Sequence, residues 1–291
     1  MQMVFRGSDA VAGGGVTRHE LQRWYRPIFP GVYAPRNRQL SLRDRTMGAL
    51  LWSRGGAVIA GVAASALHGA NWVDADAPIE LIWSGTRPPR GIVTRDQTLA
   101  DDERTRVSGL PVTCPVRTAY DLGRHLPRGQ AVARLDALMR ATPFSAEKVL
   151  QLADRYPGAR GIRRLRAALP LVDGGAASPK ETWLRLVVLD AGLPTPALQI
   201  PVNDNYRSLA MLDMGWAEFG VAVEYDGDHH RSDRRQYAKD QWRLRKLAEM
   251  GWIVIRVIAE DKPEEVIDRV RRALLARGWR PELATVAALA G

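Results

Sequence analysis

Apolar residues recur at three- and four-residue spacing in some stretches of the chain and run together or alternate in others, and the two rhythms predict helices and strands. Thr17-Arg18-His19-Glu20 has the spacing in which a hydroxyl and a carboxylate cap each other's backbone donors, so a short helix opens there and ends near Trp24. Proline and glycine then punctuate an extended, turn-rich segment over residues 27–35. Helices are predicted over 47–52, 57–67, 117–122, 130–140 and 146–155, and strands over 79–83 and 91–94. The sharpest break lies at 171–179, where Val172-Asp173-Gly174-Gly175-Ala176-Ala177 carries little side-chain bulk and reads as a linker.

Beyond that break the pattern tightens. Ser178-Pro179-Lys180-Glu181 opens a helix whose apolar positions run to Val188 and which Gly192 and Pro194 stop. Strands follow over 198–202 and 208–213, joined by the turn Asn203-Asp204-Asn205, and a third over 221–225 runs straight into Asp226-Gly227. A long helix from about residue 233 to 250 ends at Gly251. Residues 252–258 are apolar enough for an interior strand, and a helix over 263–277 closes the domain.

Composition narrows the class. A chain of 291 residues has room for two domains, and 46% hydrophobic with 25% charged residues excludes a disordered, collagenous or coiled-coil protein. Forty-two Lys and Arg against thirty-two Asp and Glu leave +10, mostly on arginine, whose planar fork matches phosphate, so polyanions are favoured partners. A single cysteine, Cys114, allows no internal disulfide and no cysteine-type zinc site, which predicts a reducing, cytoplasmic setting. No basic segment leads into an apolar stretch near Met1, so no secretory signal is expected. The longest uncharged run, 55–73, is mostly Ala and Gly with Ser65, His68 and Asn71 inside it, and a bilayer span needs about 20 strongly apolar residues, so no membrane partner is expected. His68, alone among small residues, reads as a packing or helix-end contact.

Candidate chemistry sits in the second half. Asp213 ends one predicted strand and Glu224 lies on the next, and paired strands lie about 5 Å apart, so the two carboxylates can converge on one divalent cation. Mg²⁺ suits such a place because it takes oxygen ligands and is completed by substrate phosphate; it can generate hydroxide and neutralise charge on a phosphodiester. The same acids also suit solvated turns. On the 233–250 helix, Arg235, Lys239, Arg243 and Lys246 form one basic stripe, fitting either a nucleic-acid backbone or a solvated face. Asp240 shares the face of Tyr237, Leu244 and Leu247 and is expected to be buried beside an arginine. Glu181 also satisfies a capping box, Gln199 a surface strand position, and Asp226-Gly227 a turn.

Ser178-Pro179-Lys180-Glu181, Gln199-Ile200-Pro201-Val202, Asp213, Glu224-Tyr225-Asp226-Gly227-Asp228-His229-His230-Arg231 and Gly251-Trp252-Ile253-Val254-Ile255-Arg256-Val257 resemble the family called domain of unknown function 559. That family is similar to very-short-patch-repair endonucleases and has the PD-(D/E)xK nuclease fold. The resemblance spans roughly residues 178–277 and implies Asp213, Glu224 and Glu181 as metal ligands for Mg²⁺ or Mn²⁺, with the Tyr225 carbonyl as a further ligand. It implies a catalytic set of Asp213, Glu224, Asp226, His230 and Gln199, with Arg231 and the basic stripe on nucleic acid. Asp226 occupies the place where the wider superfamily has lysine; His230 could then protonate the leaving oxygen or orient water, and Lys239 or Arg243 replace the missing cation.

Nearer the start, Val16-Thr17-Arg18-His19-Glu20-Leu21 and Phe29-Pro30-Gly31-Val32-Tyr33 look like the N-terminal winged helix of AbiEi-type antitoxins, with 27–35 as the wing and Arg18 a nucleic-acid contact. The run Gly109-Leu110-Pro111-Val112-Thr113-Cys114-Pro115-Val116-Arg117-Thr118-Ala119-Tyr120-Asp121-Leu122 resembles the segment that follows it. The expectation is an α/β chain: a winged-helix-like segment over 1–40, an AbiEi-like α+β region over 41–172, and a PD-(D/E)xK restriction-endonuclease-like domain over 173–291 with a mixed sheet flanked by helices. The implied function is a DNA-binding, divalent-metal-dependent endonuclease. The alternative is an antitoxin-like DNA-binding transcriptional regulator with a catalytically inactive nuclease fold, and RNA cleavage or binding stands third. DNA is the expected partner, with a toxin or a second copy of the chain in a homodimer beside it.

Overall fold

A computed structural model describes residues 3–204, 207–227 and 234–281, the side chains of 234–236 excepted. The chain is mixed α/β and forms two compact units, Met1–Gly174 and Gly175–Gly291. Among the described residues no helix is long and apolar enough to cross a membrane.

The first unit opens with β1 (Phe5–Arg6), α1 (Gly7–Ala12) and α2 (Arg18–Trp24), then the hairpin β2 (Tyr25–Phe29) and β3 (Val32–Pro35). The Thr17 hydroxyl accepts the Glu20 N–H while the Glu20 carboxylate accepts the Thr17 N–H, the reciprocal cap its spacing predicts. α1 has only six residues and no apolar period, so the sequence carried no signal for it. The three strands form a sheet in the order β1-β3-β2.

There follow α3 (Leu42–Trp52), β4 (Val58–Ala60), α4 (Gly61–Leu67), β5 (Ile79–Ile82), β6 (Ile92–Arg95), β7 (Arg104–Val107) and β8 (Leu110–Thr113). The predicted helix over 57–67 is half strand. Val58, Ile59 and Ala60 pair with β5, Ile59 also sits opposite Val112 of β8, and the chain turns at Gly61 with φ +58° before helix resumes. A Cβ at Gly61 would lie 2.2 Å from the Glu80 carboxylate, so only glycine makes this strand-to-helix corner. The second sheet runs β6-β5-β4-β8-β7 and mixes parallel and antiparallel pairs. One apolar core, including Val4, Phe29, Val32, Ala49, Ile59, Leu81 and Val112, joins both sheets. The His68 Nε2 lies 2.8 Å from the Thr113 carbonyl oxygen at the end of α4, the helix-end contact expected of it.

Helices α5 (Pro115–His125), α6 (Arg128–Ala141), α7 (Ala146–Arg155) and α8 (Ile162–Ala168) complete the unit. They enclose charge. Arg117, only 2% exposed, donates from Nε to Asp121 at 3.0 Å, from Nη2 to Gln97 at 2.6 Å, and to the Glu103 carboxylate, which also accepts the Tyr156 hydroxyl. Asp121 accepts Arg124 at 2.9 Å, so every carboxylate in this network is paired, as burial demands.

The second unit contains α9 (Pro179–Asp190), β9 (Ala197–Asp204), β10 (Arg207–Trp216), β11 (Val221–Tyr225), α10 (Arg234–Glu249), β12 (Ile253–Val257) and α11 (Pro263–Ala276). Its sheet runs β12-β11-β10-β9, with β11 and β12 parallel and the other pairs antiparallel. Leu184 and Val188 of α9 and Val266, Val270 and Leu274 of α11 join Met214, Val221, Val223 and Val257 in one core; Leu247 of α10 joins Leu212, Val202 and Ala222 in another. The hairpin is longer than the pattern predicts, with β9 reaching Asp204 and β10 running on to Trp216. Gly215 permits the close pairing there, since a Cβ would meet the Val221 carbonyl oxygen at 2.4 Å.

Candidate functional site

Strand register brings the predicted acids of the second unit together. The ladder between β10 and β11 runs from Trp216–Val221 to Met214–Val223, one step short of Asp213 and Glu224. There the strands part. Instead of continuing the ladder, the Tyr225 N–H donates to the Asp213 carboxylate at 2.9 Å. On the other side, pairs Leu212–Ile200 and Met214–Leu198 set Gln199 level with Asp213. Gln199 has φ +50°, a conformation that costs a non-glycine residue of order 1 kcal/mol or more and persists where the surroundings fix it.

That strained residue serves Glu181. The Ser178 hydroxyl accepts the Glu181 N–H and Pro179 occupies the first helical position, which fixes the start of α9. The Glu181 carboxylate, 7% exposed, then accepts the Ala177 N–H at 2.9 Å and the Gln199 side-chain N–H at 3.0 Å. Glu181 thus supports its own helix entry and also joins the acidic group. Burial, with Glu181 and Glu224 adding their negative charge, pushes the Asp213 carboxyl up to about 6, against the opposing Tyr225 N–H and Arg243.

Glu224, 7% exposed, is gripped from α10. Arg243 donates Nη1 to one carboxylate oxygen at 2.8 Å and Nη2 to the other at 3.0 Å, a bidentate fork that holds the guanidinium above its ordinary value. Arg243 therefore turns inward from the predicted basic stripe, because a carboxylate so deeply buried needs a counter-charge. Half-buried Asp240 adds its charge to the same guanidinium. Lys239 is exposed, and Lys246 pairs with Glu249 at 2.8 Å. Asp226, in the place of the superfamily lysine, pairs with Arg256 at 2.5 Å. The sequence reading missed Arg256; its signal is the parallel register that sets it beside Glu224. His230 and Arg231 lie outside the described residues, as does the Arg235 side chain.

With Arg243 in place, this donor set leaves a divalent cation short of ligands. Both Glu224 oxygens are inside the Arg243 fork, and one oxygen each of Asp213 and Glu181 is held by N–H donors. Among the described residues no three His, Cys, Asp or Glu side chains are placed to hold a metal ion. Arg243 supplies the local positive charge instead.

In the first unit, α2 presents a polar, nearly unpacked surface. None of its residues is buried; Arg18, Gln22 and Arg23 are exposed, and Trp24 is 57% exposed with the Arg23 guanidinium 4.8 Å from its ring centroid. A two-turn helix with one half-buried apolar residue, Leu21, gains little from packing, so its arginines face outward beside the β2–β3 hairpin.

Uncharacterized protein Rv2248 of Mycobacterium tuberculosis (strain ATCC 25618 / H37Rv) is 32% identical over 270 residues, covering 91% of this chain and 94% of its own length. Uncharacterized protein MT2308 of strain CDC 1551 / Oshkosh gives the same figures. The chain belongs to the Rv2248 family. Within this member of the Rv2248 family, residues 57–171 match the model of the AbiEi antitoxin C-terminal domain, which bears out the antitoxin-like reading for that region. The crystal structure of the RV2827C protein from Mycobacterium tuberculosis is 18% identical, covering 68% of this chain and 79% of that one, with a TM-score of 0.41.

Proposed function

We propose that this protein is an antitoxin-like DNA-binding regulator whose second unit keeps a nuclease-like fold without a working metal centre. The AbiEi antitoxin C-terminal domain match over residues 57–171 carries the reading. A net charge of +10 and an outward-facing α2 with Arg18 and Arg23 support it, since arginines on an exposed helix beside a hairpin suit phosphates at a groove edge. A toxin is the natural partner of such a regulator. In the second unit, Arg243 neutralises Glu224 and the lysine position holds Asp226 in an ion pair, which favours binding over hydrolysis.

Retardation of DNA from upstream of its own reading frame tests the proposal. The account expects a complex whose affinity falls steeply with salt, and Arg18→Ala with Arg23→Ala to weaken it and lower the salt slope by about 1 per lost phosphate contact. Absence of any complex at low salt refutes it. One observation favours a second reading, a Mg²⁺- or Mn²⁺-dependent DNA endonuclease: Asp213 lies within electrostatic reach of both Glu181 and Glu224, as resemblance to the domain of unknown function 559 implies. That reading requires Glu224 to leave Arg243.

A further inference from the structure

The first unit contains a concave cavity of about 900 Å³ that shares only Arg18 with the DNA-binding reading. It is formed by α1, the start of α2, the tip of the β2–β3 hairpin, the end of α3 and the loop after β5. Its charge is of one sign. Arg6, Arg18 and Arg54 line it, and no carboxylate does. Arg18 and Arg54 are exposed, and among the described residues neither guanidinium has an internal hydrogen bond or ion pair; Arg6 holds only a 3.4 Å contact with Asp9.

Its other wall is aromatic and fixed. Trp52 and Trp83 meet edge to face, with ring centroids 4.9 Å apart. Glycine makes room for these rings: a Cβ at Gly85 would lie 2.0 Å from the Trp83 indole, and one at Gly7 would lie 2.6 Å from the Tyr33 ring. Arg54 is held at the rim with φ +55°, a strained conformation for a residue with a side chain. Guanidinium forks match phosphate oxygens, indole and phenol surfaces take a planar base, and the volume lies in the range of small-molecule sites, roughly 300–1,000 Å³.

We propose that this cavity binds a free nucleoside phosphate, with the phosphate on Arg18 and Arg54 and the base against the wall formed by Trp83, Trp52 and Tyr33. This goes beyond the DNA-binding reading and does not depend on it. Isothermal titration of the full chain with ADP and GDP tests it, with adenosine, inorganic phosphate and a single-stranded oligonucleotide as controls. The expected result is a micromolar dissociation constant for a nucleotide, with adenosine and phosphate each at least tenfold weaker. Arg18→Gln and Arg54→Gln, at exposed positions, are expected to weaken nucleotide binding about tenfold, or 1.4 kcal/mol, with unchanged melting temperatures. No nucleotide binding up to millimolar concentration, equal binding by both variants, or binding of the oligonucleotide alone overturns the proposal.

Discussion

Replacing Asp213 by asparagine is expected to stabilise the second unit. The carboxyl is pushed up to about 6 from the ordinary 3.8, chiefly by burial. Each tenfold change in proton affinity is worth 1.36 kcal/mol, so ionised Asp213 destabilises the fold by up to about 3 kcal/mol. The folded chain binds this proton more tightly than the unfolded chain does. The contribution is therefore favourable below about pH 4, declines between about 4 and 6, and leaves its full penalty above 6. Asparagine keeps an oxygen for the Tyr225 N–H, which donates at 2.9 Å in the parent, and carries no charge at any of these values. Urea unfolding in the presence of a chelator is expected to give a more stable variant at pH 7, by up to about 3 kcal/mol, and near-equal stabilities at pH 4. A variant less stable at pH 7, or a gap independent of pH, refutes the assignment of a buried acid held against its ordinary ionisation.

Two further substitutions probe the charged cores. Arg243→Ala leaves Glu224 without its counter-ion; with a quarter of the Arg243 side chain exposed, the loss is expected near the low end for breaking a buried pair, about 3 kcal/mol, and Mn²⁺ is expected to restore part of it in the variant while leaving the parent's melting temperature unmoved. Equal stabilisation of parent and variant by Mn²⁺ contradicts the view that Arg243 is the resident cation. In the first unit, Arg117→Ala takes the guanidinium from Glu103, which keeps the Tyr156 hydroxyl, and leaves Asp121 to Arg124; with both carboxylates about 2% exposed or less, stability is expected to fall by about 3 kcal/mol in denaturant titrations, and a loss under 1 kcal/mol contradicts the reading of that network.

Much of the fold was legible because local signals and burial agreed. Thr17 with Glu20, and Ser178 with Pro179, mark helix starts with their own side chains, and the strand-to-Asp226 run gave β11 directly. Residues 57–67 misled because a run of small apolar residues satisfies either rhythm, and what decides is a non-local pairing of Ile59 with Leu81 and Val112. β7, β8 and α8 were not read at all: Arg104–Val107 alternates charge on an edge strand, and Ile162–Ala168 is only seven residues long. At the candidate site the acids were visible as types and spacings. Their state was not, since it depends on which cation reaches them: that Arg243 takes Glu224 and Arg256 takes Asp226 follows from helix orientation and parallel register, which no local window contains.

The central claim is that this chain holds DNA without cutting it. Incubating supercoiled plasmid with the full protein and Mg²⁺ or Mn²⁺, then resolving the products with and without removal of protein, tests it most directly. The account predicts retarded plasmid that returns fully supercoiled once the protein is stripped away. Nicked or linear product from the parent chain that disappears with Asp213→Ala contradicts it.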